Sequence, residues 1–199
     1  MTFSADELLA ILGFALVASL SPGPVNLLIL TAGIGHGGAR AMRLAVGSCA
    51  GFTLLLGVLA AGLGSVWQAL PVLQWVLKAA GGGFVAWLSW KLLQDRGDWG
   101  AEAHGTAPGL MTAALMQWLN PKAWIASMAG LGIFTAGRGG LDMAVFTLTW
   151  GTVCFASACV WAWCGSHAGQ WLADAGRRQL LQRGLAVTLM CSGVLMLLP

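Results

Sequence analysis

The chain has 199 residues, of which 58% are hydrophobic and 9% charged, and a formal net charge of +3. Soluble domains carry about 25% charged residues, so this composition excludes an ordinary water-facing globule and reads as one transmembrane domain over residues 1–199. The basic residues form no cluster interleaved with aromatics, which sets aside a nucleic-acid partner and leaves the lipid bilayer as the first partner of the chain.

Apolar runs predict six membrane-spanning helices at about 5–34, 40–64, 69–94, 108–134, 141–167 and 177–198, each long enough for a hydrocarbon core of roughly 30 Å. Residues 8–20 resemble the apolar region of a signal peptide. Asp6 and Glu7 precede them without Lys or Arg, however, and Ser21-Pro22-Gly23-Pro24 leads directly into further apolar sequence, so this run reads as the first span. It is interrupted from Ser21 to Asn26 and ends at Gly35-His36-Gly37-Gly38, with His36 a loop residue. The pairs Gly33/Gly37 and Gly47/Gly51 have the spacing that lets helix backbones approach closely. The third span holds Lys78, placed either to snorkel to the interface or to face a lumen, and the run Gly81-Gly82-Gly83. The polar segment 95–107, with His104, separates a first repeat of about 1–94 from a second of about 108–199. The fourth span is interrupted by Asn120-Pro121-Lys122. The fifth carries Thr149, Thr152 and Ser157 among apolar neighbours and ends near His167.

The expected fold is therefore an all-α polytopic membrane protein, its six helices forming a 3+3 inverted repeat with helices one and four broken. Arg40, Arg43, Lys91, Arg96, Arg177, Arg178 and Arg183 follow helices one, three and five, whereas the opposite side offers Arg138. By the positive-inside rule both termini then face the periplasm or exterior of a bacterial inner membrane. Trp67, Trp90, Trp99 and Trp171 fall near span ends as interface anchors, and Trp118, Trp124, Trp150, Trp161 and Trp163 lie deeper.

Pro22 and Pro24 cannot donate to the carbonyls of Ala18 and Leu20, nor Pro121 to that of Gln117. Lipid cannot satisfy such groups, so the breaks belong beside protein or a water-filled cavity. Ser or Asn before Pro is helix-start chemistry, with the side chain capping the first N–H groups. Two half-helices beginning near Pro22 and Pro121 would aim positive ends at one site, suited to a carboxylate, while freed carbonyls hold an ammonium. Proline kinks that merely shape the bundle are the plainer alternative, and the matched pair favours a site. Lys122, a cation near mid-span costing ~2.5 to 3.5 kcal/mol if unpaired, should face the interior, either to bind a substrate carboxylate or to exchange a proton.

The carboxylates all fall at span ends or in loops, which argues against a metal cage or an acidic proton relay. No catalytic motif is visible, and no cofactor is called for. Cys49, Cys154, Cys159, Cys164 and Cys191 lie in apolar runs without a CxxC pair and read as buried free thiols scattered over unrelated helix faces.

The elements Ser19 to Asn26 (SLSPGPVN), His36-Gly37 with Arg40, Gly47 and Gly51, Lys78 with Gly81 and Ala86-Trp87-Leu88, and Gln117 to Ala123 (QWLNPKA) carry a resemblance along nearly the whole chain. The chain resembles the lysine exporter (LysE/RhtB) family. That resemblance implies efflux of amino acids or derivatives from the bacterial cytoplasm, generally driven by the proton gradient, without enzymatic turnover. Asn120 to Trp124 and Trp161-Ala162-Trp163 look most like the branch exporting cysteine and O-acetylserine, though threonine, homoserine and leucine exporters share the core motifs. Family members often carry Pro, Asn or Asp in the fifth span, where this chain has Thr149, Thr152 and Ser157.

The expected substrate-binding set is Ser21, Pro22, Gly23, Pro24, Asn26, Gln117, Asn120, Pro121 and Lys122, with Lys122 and Lys78 as coupling candidates. A homodimer is compatible with the sequence. Two other readings make different demands. A metal-ion exporter on the same scaffold needs Cys49, Cys154 or Met side chains to converge on a lumen. A non-transporting scaffold needs a sealed, dry interior at residues 21–26 and 120–122.

Overall fold

A computed structural model describes residues 3–63, 109–171 and 175–197, with isolated positions 72, 75, 76, 79, 83, 86 and 90. The expectations placed on the third span, Lys78, Gly81-Gly82, Trp67, Trp99, the 95–107 segment and His104 lie outside the described residues.

Seven helices make up the described chain and no strand occurs in it: α1 Ala5–Leu20, α2 Pro24–His36, α3 Gly38–Val58, α4 Leu110–Leu119, α5 Pro121–Phe134, α6 Gly140–Trp171 and α7 Ala175–Leu197. The Ser4 hydroxyl starts α1 by accepting the Glu7 N–H at 3.3 Å, while the Glu7 carboxylate accepts the Ser4 N–H at 2.8 Å, a reciprocal cap. The helix ends at Leu20 because Pro22 and Pro24 offer no N–H, and α2 restarts on Pro24 at an angle of 60° to α1. Gly37, at φ +80°, supplies the left-handed residue that turns α2 directly into α3.

The helix α3 runs on into a π-helical turn, Leu59–Leu63, that closes with Gly62 at φ +112°. The fourth expected span is two short helices, α4 and α5, separated by Asn120 in an extended conformation. The longest element is α6, whose 32 residues reach about 48 Å, more than one hydrocarbon thickness. By length and composition α3 and α6 can each cross a bilayer, as can the bent α1–α2 pair taken as one span. Their outward residues, among them Leu9, Val17, Leu54, Leu148 and Trp163, are apolar and exposed, as lipid contact requires.

The helices α1, α2 and α3 pack on α6, and α3 also lies along α4. Missing side chains set the two closest approaches. A Cβ on Gly47 would collide with the Leu110 carbonyl, and one on Gly51 would stand 2.6 Å from Ala114 Cα. Gly33 meets Gly165 of α6 in the same way, at 2.9 Å from the carbonyl carbon to its would-be Cβ. Gly37, expected to join Gly33 in packing, faces open space instead and serves the turn.

An aromatic cluster packs against the first half of α6: the Trp150 ring lies 5.3 Å from Phe14 and from Phe52 and 5.5 Å from Phe146, edge to face. At one end of the bundle Arg138, between α5 and α6, pairs with Glu7 and stands 4.4 Å over the Phe3 ring. The start of α1 and the α5–α6 turn therefore share one end.

Candidate functional site

The two breaks face each other, and one side chain joins them. Lys122, the second residue of α5, reaches across to α1, where its Nζ donates to the Ser21 carbonyl at 2.8 Å. Gly23 makes room for it, since a Cβ there would lie 3.3 Å from that Nζ and 3.5 Å from Cδ. The ammonium thus points into the bundle and is met by a carbonyl that the proline-rich break has freed. Among the described residues only one of its three N–H donors is used, and the single ion pair is the remote Arg138–Glu7.

Around it each break is closed differently. At the second, the Asn120 side-chain oxygen accepts the Lys122 N–H at 3.2 Å and so caps α5, as Asn-Pro predicts. At the first, the expected cap by Ser21 does not form. Its hydroxyl turns back to donate to the Ala18 carbonyl at 3.0 Å, one of the two acceptors that the prolines orphan, and Gly23 occupies the N-cap position of α2 without a side-chain cap. The Asn26 side-chain amide instead donates to the carbonyls of Ser19 (2.7 Å) and Ser21 (3.1 Å), holding the break in shape from within α2. The start of α2 is left without a side-chain cap, with the Lys122 side chain lying against its N-cap residue Gly23.

A cavity of about 50 Å³ lies between the breaks. Ser19, Gly23, Asn26, Gln117, Asn120 and Lys122 supply its polar wall, and Phe52, Trp150 and Cys154 part of the apolar remainder. That volume holds a few water molecules and is smaller than an amino acid, so a substrate of that size requires the helices to part. Of the nine residues expected at the site, Gly23, Asn26, Gln117, Asn120 and Lys122 line the cavity. Ser21 is not part of its wall and is tied to it through the bond that its carbonyl accepts from Lys122. Pro24 and Pro121 are buried at the first positions of α2 and α5 and shape the breaks, while Pro22 is exposed.

Sequence reasoning missed four contributors. The Gln117 amide donates to Ser48 Oγ of α3 at 3.2 Å and sits 3.4 Å from the Asn120 amide, so Ser48 anchors the second break. The Trp150 indole donates to Ser19 Oγ at 3.4 Å, tying α6 to the first. The fourth is Cys154, whose sulfur lies 3.6 Å from that of Cys49 on α3. These two thiols are therefore not scattered over unrelated faces, which corrects the reading from spacing alone. No group of three or more His, Cys, Asp or Glu side chains gathers among the described residues, so the pair has no third donor of that kind there.

A sequence profile of the LysE type translocator matches residues 16–198. The chain is similar to the cysteine/O-acetylserine efflux protein of Klebsiella pneumoniae subsp. pneumoniae, with 26% identity over 125 residues and 63% of each chain covered. It is also similar to proteins of the same description from Salmonella paratyphi A (31% over 80 residues, 40% of each chain) and Escherichia coli O1:K1 (27% over 106 residues, 53% of this chain and 50% of the relative). These alignments cover less than two thirds of the relatives' own length. No solved structure matches. The profile takes in both breaks and nearly all of the chain: this protein belongs to the LysE type translocator family.

Proposed function

We propose that this protein is a secondary exporter that carries an amino acid or a close derivative out of the bacterial cytoplasm, and that its substrate binds between the two helix breaks. The observation that carries this reading is the Lys122 ammonium standing at the junction of both breaks beside a polar cavity. A carboxylate entering there would meet that cation together with the uncapped start of α2 and the start of α5. Once Lys122 turns to the carboxylate, the Ser21 carbonyl keeps its bond from Asn26 and has one acceptor position left for the substrate's own ammonium. One lysine movement would therefore create both halves of a zwitterion site, and the small cavity is the closed resting form of it.

The relatives' described substrates, cysteine and O-acetylserine, are the candidates we carry to this chain. Both are small zwitterions, which suits a site bounded by Phe52 and Trp150. The full architecture we infer is a single domain of six spans in a 3+3 inverted repeat, set in the inner membrane with both termini outside. The shared end of Glu7 and Arg138 supports that topology, and the polar cavity speaks against a non-transporting scaffold with a dry interior. Coupling would run through Lys122, which exchanges a proton as it releases substrate.

The test is efflux from proteoliposomes loaded with labelled cysteine or O-acetylserine. Lys122→Ala, incorporated to the same level, should lose transport by about 100-fold, the effect of about 3 kcal/mol expected for a hydrogen-bonded charge. Transport unchanged in that variant overturns the assignment.

A further inference from the structure

Besides polar groups, the cavity touches one soft nucleophile, the Cys154 thiol of α6. Its sulfur stands 3.6 Å from that of Cys49, a residue of α3 that is 105 positions away in the chain, and both thiols are free. The approach is built into the packing of the two helices. Gly151, one turn before Cys154, leaves the space filled by Thr53, one turn after Cys49; a Cβ there would lie 2.7 Å from Thr53 Oγ1. Cys159, by contrast, faces Met42 at 3.9 Å, and Cys191 is exposed. A disulfide would bring the Cys49 and Cys154 sulfurs about 1.5 Å closer.

We propose that Cys49 and Cys154 form a peroxide-responsive dithiol that locks the two halves of the protein together when oxidised. The cavity gives an oxidant a place beside Cys154: at about 50 Å³ it has room for a molecule of the size of water or hydrogen peroxide. The Cys154 sulfur attacks one peroxide oxygen, the O–O bond breaks, and the leaving hydroxide takes up the thiol proton as water, giving a sulfenic acid on Cys154. The Cys49 thiol then attacks the Cys154 sulfur. The S–S bond forms as the S–O bond breaks, and a second water carries off the hydroxyl and the Cys49 proton. In sum two thiols and one peroxide give one disulfide and two waters, and an external dithiol reverses the change by exchange. A bond from α3 to α6 ties the first half of the chain to the second, so any rocking of the halves about the site stops. That transport consequence rests on the exporter reading, whereas the bond itself does not.

Two measurements on the full chain decide the matter. Protein in lipid nanodiscs, treated with hydrogen peroxide and then alkylated, should yield on non-reducing peptide mapping a cross-linked peptide containing Cys49 and Cys154, absent after dithiothreitol. A map in which Cys154 is oxidised to sulfinic acid while Cys49 is alkylated, or in which both are alkylated, overturns the dithiol. In proteoliposomes, peroxide should lower efflux at least tenfold, with recovery in dithiothreitol, and Cys49→Ser should abolish the response. Unchanged efflux from protein shown to be cross-linked overturns the lock. Should the reduced protein carry no amino acid at all, the exporter reading fails on its own, and the peptide map still decides the dithiol.

Discussion

Gly23→Ala is the mildest change that should reach the transport site, because it adds one methyl group and touches little except Lys122. The Gly23 backbone is extended, at φ −160°, a conformation open to any residue, so the substitution carries no backbone strain. The new Cβ would stand 3.3 Å from Lys122 Nζ and 3.5 Å from Cδ, against an ordinary separation of about 3.5–4.0 Å. Lys122 must give way by a few tenths of an ångström, which lengthens its 2.8 Å bond to the Ser21 carbonyl and crowds the place assigned to the substrate carboxylate. Losing a large part of one charge-assisted hydrogen bond costs about 1 kcal/mol, or about fivefold in substrate affinity. Gly13→Ala in α1 is the matched control, since its new Cβ meets nothing within 4 Å. Efflux rates measured over a substrate series at equal protein level should show KM raised about fivefold for Gly23→Ala and unchanged for Gly13→Ala. Equal behaviour of the two variants would refute the placement of Lys122 against Gly23.

Gly51→Ala should destabilise the protein in detergent by about 1–3 kcal/mol, since its Cβ meets the Ala114 backbone at 2.6 Å and two helices must separate. Thermal unfolding would show this as a lowered Tm, with Gly57→Ala, in open space on the same helix, as the unaffected comparison. Asn120→Ala removes the cap of α5 and the contact to Gln117, at a cost of about 1 kcal/mol. Its efflux should fall while the fold persists, and Asn120→Asp, which retains the capping oxygen, should restore stability. Ser48→Ala should lower efflux less than Gln117→Ala, because Ser48 only steadies the amide that lines the cavity.

Local chemistry made both breaks legible from the sequence. Proline has no N–H, a fact that holds in any surroundings, and it ended α1 and began α2 and α5 where the sequence placed the interruptions. Lys122 was legible for a similar reason: a cation in an apolar run must find an interior partner. The identity of that partner was not, because the Ser21 carbonyl is 101 residues away and comes into reach only through the packing of α1 on α5. Ser21 itself shows the limit of motif reading. Both a forward cap and a backward bond suit a serine before proline, and the orphaned Ala18 carbonyl decided for the latter. Gly37 shared the spacing of a packing glycine, yet a positive φ put it in a turn. Ser48 and the Cys49–Cys154 contact left no local signal, since each depends on which faces of α3, α4 and α6 meet.

Equilibrium binding of a substrate and its carboxamide to the purified protein tests most directly the claim that Lys122 holds a carboxylate between the breaks. Cysteine should bind at least tenfold more tightly than cysteine amide, about 1.4 kcal/mol or more, and Lys122→Met should erase the difference by weakening cysteine alone. A preference for the free carboxylate that survives in Lys122→Met would contradict it.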